Sequence, residues 1–243
     1  MEVVDTFGAS MSNIWFDRVL NDQDVVFTIF GPLYKLYTPF NNVCGFAQPW
    51  IIYPNNECYA KLPMIKRLTL RLKYWIQGQF FKRADSLVVE LEHVKNGLVR
   101  ELGIKPERIH VVRNCLSSIY LDEAAWSSLY IPGSDCDLRL GFVGRNYSHK
   151  NTDVFPAIAK LLEKSHRIRA KFYVTFTDKE WLACSAEFRN VCINVGPLLV
   201  AQCPKFYQSL DGVVFPSLLE CFFCNAAGGH GDGKTIVRIR SAV

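Results

Sequence analysis

No apolar run in this 243-residue chain approaches the ~20 residues that a membrane-spanning helix needs, and Met1 is not followed by the charged and then apolar stretch of a secretion signal. A cytoplasmic location is therefore expected. Strong charge of one sign is lacking too. The 28 Lys and Arg against 23 Asp and Glu leave a net charge of +5, too small to argue for nucleic acid as a partner. Spaced cysteine pairs are also missing. The nine cysteines, at 44, 58, 115, 136, 184, 192, 203, 221 and 224, are an odd number scattered through apolar contexts, so buried, reduced thiols are expected rather than a disulfide framework. Cys221 and Cys224 form a CxxC, but no second pair of Cys or His ligands follows to complete a zinc site. Neither an internal repeat nor a low-complexity segment is visible.

What is present is material for a core: 49% apolar residues and 13% aromatics. The pattern alternates strand with helix. Asp24 to Phe30 is a short β-branched run closed by Gly31-Pro32, and a second strand is expected within Val43 to Tyr53, interrupted by Gly45 and Pro49. A helix is expected from Lys61 to Arg83, a strand at Ser86-Leu87-Val88-Val89, a helix from Glu92 to Leu102 stopped by Gly103, and a strand at Ile109 to Val112. The stretch from Leu116 to Cys136, ending in Pro132-Gly133-Ser134, reads as a connection. Alternation then restarts, with strands at Leu138 to Val143, Ala170 to Phe176, Val191 to Val195 and Gly212 to Phe215, and helices at Thr152 to Ser165 and Ala201 to Leu210. The expected class is α/β, with two Rossmann-like domains facing a cleft. The boundaries are 1–116 for the first domain, 117–137 for a linker, 138–222 for the second domain and 223–243 for a tail.

The chemistry concentrates in the second domain. Gly141-Phe142-Val143-Gly144-Arg145 closes a strand and Asn146 to Lys150 leads into the next helix, so Arg145 and Lys150 fall where α/β sheets bind anionic groups. Further on come Asn194-Val195-Gly196-Pro197, a helix with Phe206-Tyr207, and Asp211 to Ser217 followed by Glu220. In that order these segments resemble the C-terminal domain of GT4-type (group 1) glycosyltransferases. In the first half, Ala84 to Val89, Leu102-Gly103-Ile104 and Arg108 to Asn114 are similar to the family's last N-domain strand, helix and turn.

The resemblance implies a GT-B fold that binds a nucleotide-sugar, with Gly144, Arg145 and Lys150 at the donor diphosphate and Glu220 beside the donor sugar as the first glutamate of the family's Glu-x7-Glu motif. It also implies retention at the anomeric carbon, transfer to a glycan or lipid-linked acceptor in bacterial surface polysaccharide synthesis, and no metal or other cofactor. Fixed cations would stabilise the leaving diphosphate.

The chain departs from the family in several places. Gln48 stands where the family commonly has a histidine, and a glutamine can hydrogen-bond there without acting as a base. Asn114 is followed by Cys115 rather than Gly, and nothing supplies the family's opening strand with its Gly-rich loop. After Phe222 the family needs small residues, a Pro and a second Glu, whereas the chain reads Phe223 to Thr235 with glycines and a Lys-Thr at the wrong spacing for a phosphate loop. A frameshift is expected to account for this. One choice of codons for Phe223 to Ser241, read one nucleotide on, encodes S-A-T-P-L-E-A-M-A-M-E-K-P-L-F-A-S-D, which restores Glu-x7-Glu from Glu220. Both domains are then incomplete and the activity impaired.

The segment 61–83 carries Ile65, Leu68, Leu72, Trp75, Ile76 and Phe80 at helical spacing, with Lys66, Arg67, Arg71, Lys73, Lys82 and Arg83 around them. An ordinary domain helix with a solvated basic face is expected. The alternative is peripheral contact with an anionic membrane face, and a non-catalytic nucleotide- or partner-binding remnant is the alternative for the whole chain.

Overall fold

The computed structural model describes residues 14–60, 62–221 and 235–238. The chain divides into two compact units, Met1–Arg113 and Asn114–Val243. In each, short β-branched and aromatic runs form a parallel sheet, the arrangement that buries strands on both faces under crossover helices.

The first unit runs α1 (Ile14–Asn21), β1 (Val25–Thr28), β2 (Asn41–Gly45), α2 (Pro49–Ile52), α3 (Glu57–Ala60), α4 (Met64–Phe81), β3 (Ser86–Val89), α5 (Glu92–Leu102) and β4 (Ile109–Val111). Its strands lie side by side in chain order, β1-β2-β3-β4. Leu87 and Val89 of β3, two residues apart and hence on one face, are buried with Ile109 of β4 and with Val94 and Leu98 of α5. Their spacing of four gives α5 a single core stripe. The region expected to hold a strand up to Tyr53 ends its strand at Gly45 and turns into α2, with Pro49 at a first-turn position where its missing N–H costs nothing.

Helix α4 buries a face other than its most apolar one. Gly78 and Phe81 are its buried residues, Phe81 edge-on to Phe46 at 4.7 Å between ring centroids. A Cβ added at Gly78 would lie 3.0 Å from the Leu102 side chain, so the helix runs close to the end of α5 there. Met64, Ile65, Leu68, Leu72, Trp75 and Ile76 are exposed.

The second unit runs β5 (Leu138–Phe142), α6 (Phe155–His166), β6 (Ala170–Val174), α7 (Asp178–Leu182), α8 (Ala186–Val191), β7 (Cys192–Asn194), α9 (Cys203–Gln208), β8 (Gly212–Phe215) and β9 (Thr235–Arg238). The sheet order is β7-β6-β5-β8-β9, all parallel. Stacked rings fill one side: Phe155 lies on Phe172 at 4.4 Å, and Phe142, Phe176 and Phe188 complete the cluster. Helices α7 and α8 occupy a stretch that sequence pattern left unassigned. Each is started by a hydroxyl cap, Thr177 accepting from the Glu180 N–H and Ser185 from the Phe188 N–H.

The stretch 117–137, expected as a linker, is fastened to the second unit. Tyr120, Leu129 and Ile131 pack on its Tyr207–Val213 cluster, the Tyr173 hydroxyl donates to the Pro132 carbonyl at 3.2 Å, and Lys205 lies 5.2 Å from the Trp126 ring. Within 223–243, set apart by sequence as a frameshifted tail, residues 235–238 form strand β9 against β8. The rest of that segment, Cys224 included, lies outside the described residues. No disulfide links the eight cysteines that are described. Cys44, Cys58, Cys192 and Cys221 are buried and Cys115 is exposed.

Candidate functional site

The strand order of the second sheet decides where a ligand fits. From β5 the chain moves outward to β6 and β7, then returns to the other side of β5 for β8. The loops leaving β5 and β8 therefore diverge over a topological switch point, the place where open α/β sheets hold ligands. Gly144, Arg145 and Lys150 are on the first of these loops and Glu220 is on the second.

The β5 loop is pinned from two sides. Gly144, at a φ of +155° that side chains disfavour, donates its N–H to the Thr175 hydroxyl at 3.1 Å. Glu180 then gathers four donors. Its Oε1 accepts from Arg145 Nε at 2.8 Å and from the Asn146 N–H at 3.1 Å, and its Oε2 accepts from the Thr177 N–H at 2.9 Å and the Thr177 hydroxyl at 2.8 Å. Burial alone would raise the Glu180 carboxyl, but Arg145, Thr177 and the Asn146 backbone hold it at about 2, so it is ionised throughout the neutral range.

Beyond Arg145 the loop makes a single turn over Ser148–Lys150 and passes through Asn151 at a φ of +54°. The Thr152 hydroxyl donates to Asn146 Oδ1 at 2.7 Å and closes the loop on itself. Two bonds then tie it to the β8 loop. Asn151 Nδ2 donates to the Pro216 carbonyl at 3.3 Å, and the Leu218 N–H donates to the His149 carbonyl at 2.9 Å. Leu219 and Cys221 are buried and anchor the β8 loop from beneath.

This scaffold places Lys150 Nζ 2.5 Å from Glu220 Oε1, with side-chain exposures of 23% and 15%. The pair sits astride the switch point, half sheltered and still open to solvent. His149 is beside it. Burial pushes the His149 imidazole down, with Glu220 raising and Lys150 lowering it in smaller measure. The Ser217 hydroxyl, next to Pro216, is buried without a hydrogen-bond partner among the described residues.

Each cation at the site is thus matched by a carboxylate, Arg145 by Glu180 and Lys150 by Glu220. Gly144, Arg145, Lys150 and Glu220 come together as one neighbourhood of the second unit. Gln48 belongs to the first unit, half-buried just before α2 with no side-chain capping bond. Glu180 and Ser217 were missed. The Thr177-x-x-Glu180 spacing of a capping box was readable and points to Glu180, whereas nothing in the sequence marks the Ser217 hydroxyl.

Comparison with known proteins bears on the fold. No protein-family model and no curated protein sequence matches the chain. Solved structures do. TarM superposes with a TM-score of 0.61 at 12% identity, over 92% of this chain and 43% of its own. WaaG, a glycosyltransferase involved in lipopolysaccharide biosynthesis, gives 0.63 at 14%, over 92% and 61%. The fold is GT-B. An E. coli trehalose-6-phosphate structure bound with UDP-2-fluoro glucose gives 0.57 at 14%, over 91% and 59%. The chain spans about half the length of the GT-B structures it matches. At these identities the likeness is one of fold, and the chemistry has to be argued from the switch-point residues.

Proposed function

We propose that the second unit binds the diphosphate of a nucleotide-sugar, in the manner of a retaining GT4-type hexosyltransferase, and that this chain binds its donor weakly and turns over little of it. The observation that carries the reading is the Lys150–Glu220 pair over the β5/β8 switch point, with Arg145 on the same loop. Two cations at the end of a parallel sheet suit a diphosphate, which offers several oxygens to charge-assisted donors. The TarM structure in complex with UDP and the HepE structure in complex with UDP and glucose share this fold, which supports a nucleotide-sugar as the ligand class.

On this reading a diphosphate exchanges carboxylate for phosphate at Lys150. Its negative charge competes with Glu220 for the ammonium, and Glu220 is released toward the sugar. Arg145, kept by Glu180 on an anchored loop, adds a second cation without leaving its place. Ser217 supplies a hydroxyl that lacks a partner among the described residues. Cleavage of the glycosyl–phosphate bond builds charge on the departing diphosphate, and cations already in position lower the cost of that charge. Gln48 would serve at the acceptor side as a hydrogen-bonding group. The acceptor is a glycan or lipid-linked saccharide of a bacterial surface polysaccharide, and the location cytoplasmic.

Weakened donor binding, and with it weak turnover, follows from position 228. Gly228 stands where a Glu-x7-Glu motif starting at Glu220 requires its second carboxylate, so a contact to the ribose is lost. Product analysis with radiolabelled UDP-hexoses is the test. The expected result is measurable binding with hydrolysis or transfer close to the buffer blank, and efficient transfer by this chain would overturn the claim of impairment.

A further inference from the structure

We infer that helix α4 lies on an anionic phospholipid surface. At 3.6 residues per turn, Met64, Ile65, Leu68, Leu72, Trp75 and Ile76 fall within an arc of about 120° on the helix. All six are exposed, Trp75 at 63% and Leu68 at 59%, from the first residue of the helix to Ile76. Phe81, on the far side of the helix, and Gly78, just beyond the Met64 edge of the arc, are its buried residues. The arc therefore points away from the core while being the more apolar of the two faces.

The charges favour lipid over a protein surface. No Asp or Glu occurs from Met64 to Phe81, while Lys66 and Lys73 border the apolar arc on one side and Arg67 and Arg71 on the other. Among the described residues no carboxylate pairs with any of these four side chains. Arg67 reaches the Ala60 carbonyl, Arg71 reaches the Pro54 carbonyl and lies 5.5 Å from the centre of the Tyr59 ring, and Lys73 lies 5.5 Å from that of Tyr74. An apolar strip bordered on both flanks by unneutralised cations suits the boundary between acyl chains and anionic headgroups. There long basic side chains extend toward phosphates as apolar ones sink. The inference stands apart from the donor reading, because α4 belongs to the first unit and the donor residues to the second.

Flotation of the purified full chain with vesicles tests it. Vesicles of phosphatidylcholine with phosphatidylglycerol are expected to carry the protein, and vesicles of phosphatidylcholine alone to leave most of it behind. Raising the salt should release it. Leu68→Glu with Trp75→Glu should abolish flotation, and Lys66→Ala with Lys73→Ala should lower the partition coefficient by roughly tenfold. Both pairs alter exposed positions, so their circular dichroism and melting should match the parent. Absence of flotation with the parent, or flotation indifferent to either pair, overturns the inference. So does a light-scattering mass of two chains that Leu68→Glu with Trp75→Glu reduces to one without any flotation, since the arc would then be covered by a second copy.

Discussion

Burial keeps the His149 imidazole below its ordinary value of 6.5, and the consequence is a pH dependence of known sign. Below 6.5 the unfolded chain takes up a proton that the folded chain resists. Stability is therefore level above that value and falls as the pH drops beneath it. Replacing His149 with Gln should flatten the fall in melting temperature between pH 6.5 and 5. A slope identical to the parent's would contradict the burial argument. Glu180 acts at lower pH. Its carboxyl lies at about 2 instead of the ordinary 4.5, so its contribution is complete above 4.5 and is lost as the pH falls toward 2. Glu180→Gln should lower the melting temperature at pH 7 by a few degrees, as loss of a capping contact does, and the difference from the parent should vanish near pH 2. His149 and Glu180 were differently legible in the sequence. The Thr177-x-x-Glu180 spacing announces a cap, but that the same carboxylate also holds Arg145 and Asn146 depends on where β6 places α7 against the β5 loop.

At the scale of elements part of the β/α alternation was readable to the residue. Ser86–Val89, Glu92–Leu102 and Gly212–Phe215 have the limits expected of them. Strands announce themselves through β-branched runs between turn residues, and helices through a stripe every three to four residues. Helix α4 shows what periodicity leaves open. It tells which residues share a face, not which face the rest of the fold takes. Here close approach at Gly78 to Leu102 and the Phe81–Phe46 contact outweigh the larger apolar arc. The two faces should respond differently to mutation. Phe81→Ala, at a fully buried ring, should cost about 3–5 kcal/mol in chemical denaturation, whereas Leu72→Ala should stay within roughly 0.5 kcal/mol of the parent. Equal losses at both positions would mean that the outer face is packed after all.

For the whole molecule, the GT-B likeness fixes the architecture of two parallel-sheet units and leaves function to the switch point of the second. The strand end before Arg145 and Lys150 pointed to an anion site in the sequence, and the resemblance to GT4-type enzymes implied Glu220 beside it. That Lys150 and Glu220 meet at 2.5 Å, and that each cation already has an anionic partner, required the sheet order that brings β8 beside β5. The central claim is that Lys150 exchanges Glu220 for a phosphate. Calorimetric titration of UDP into the full chain and into its Lys150→Ala and Glu220→Gln variants tests it most directly. UDP should bind the parent, bind Lys150→Ala at least roughly tenfold more weakly, as loss of a charge-assisted contact implies, and bind Glu220→Gln as tightly as the parent or more so. Binding that is indifferent to Lys150, or absent from the folded parent, would contradict the account.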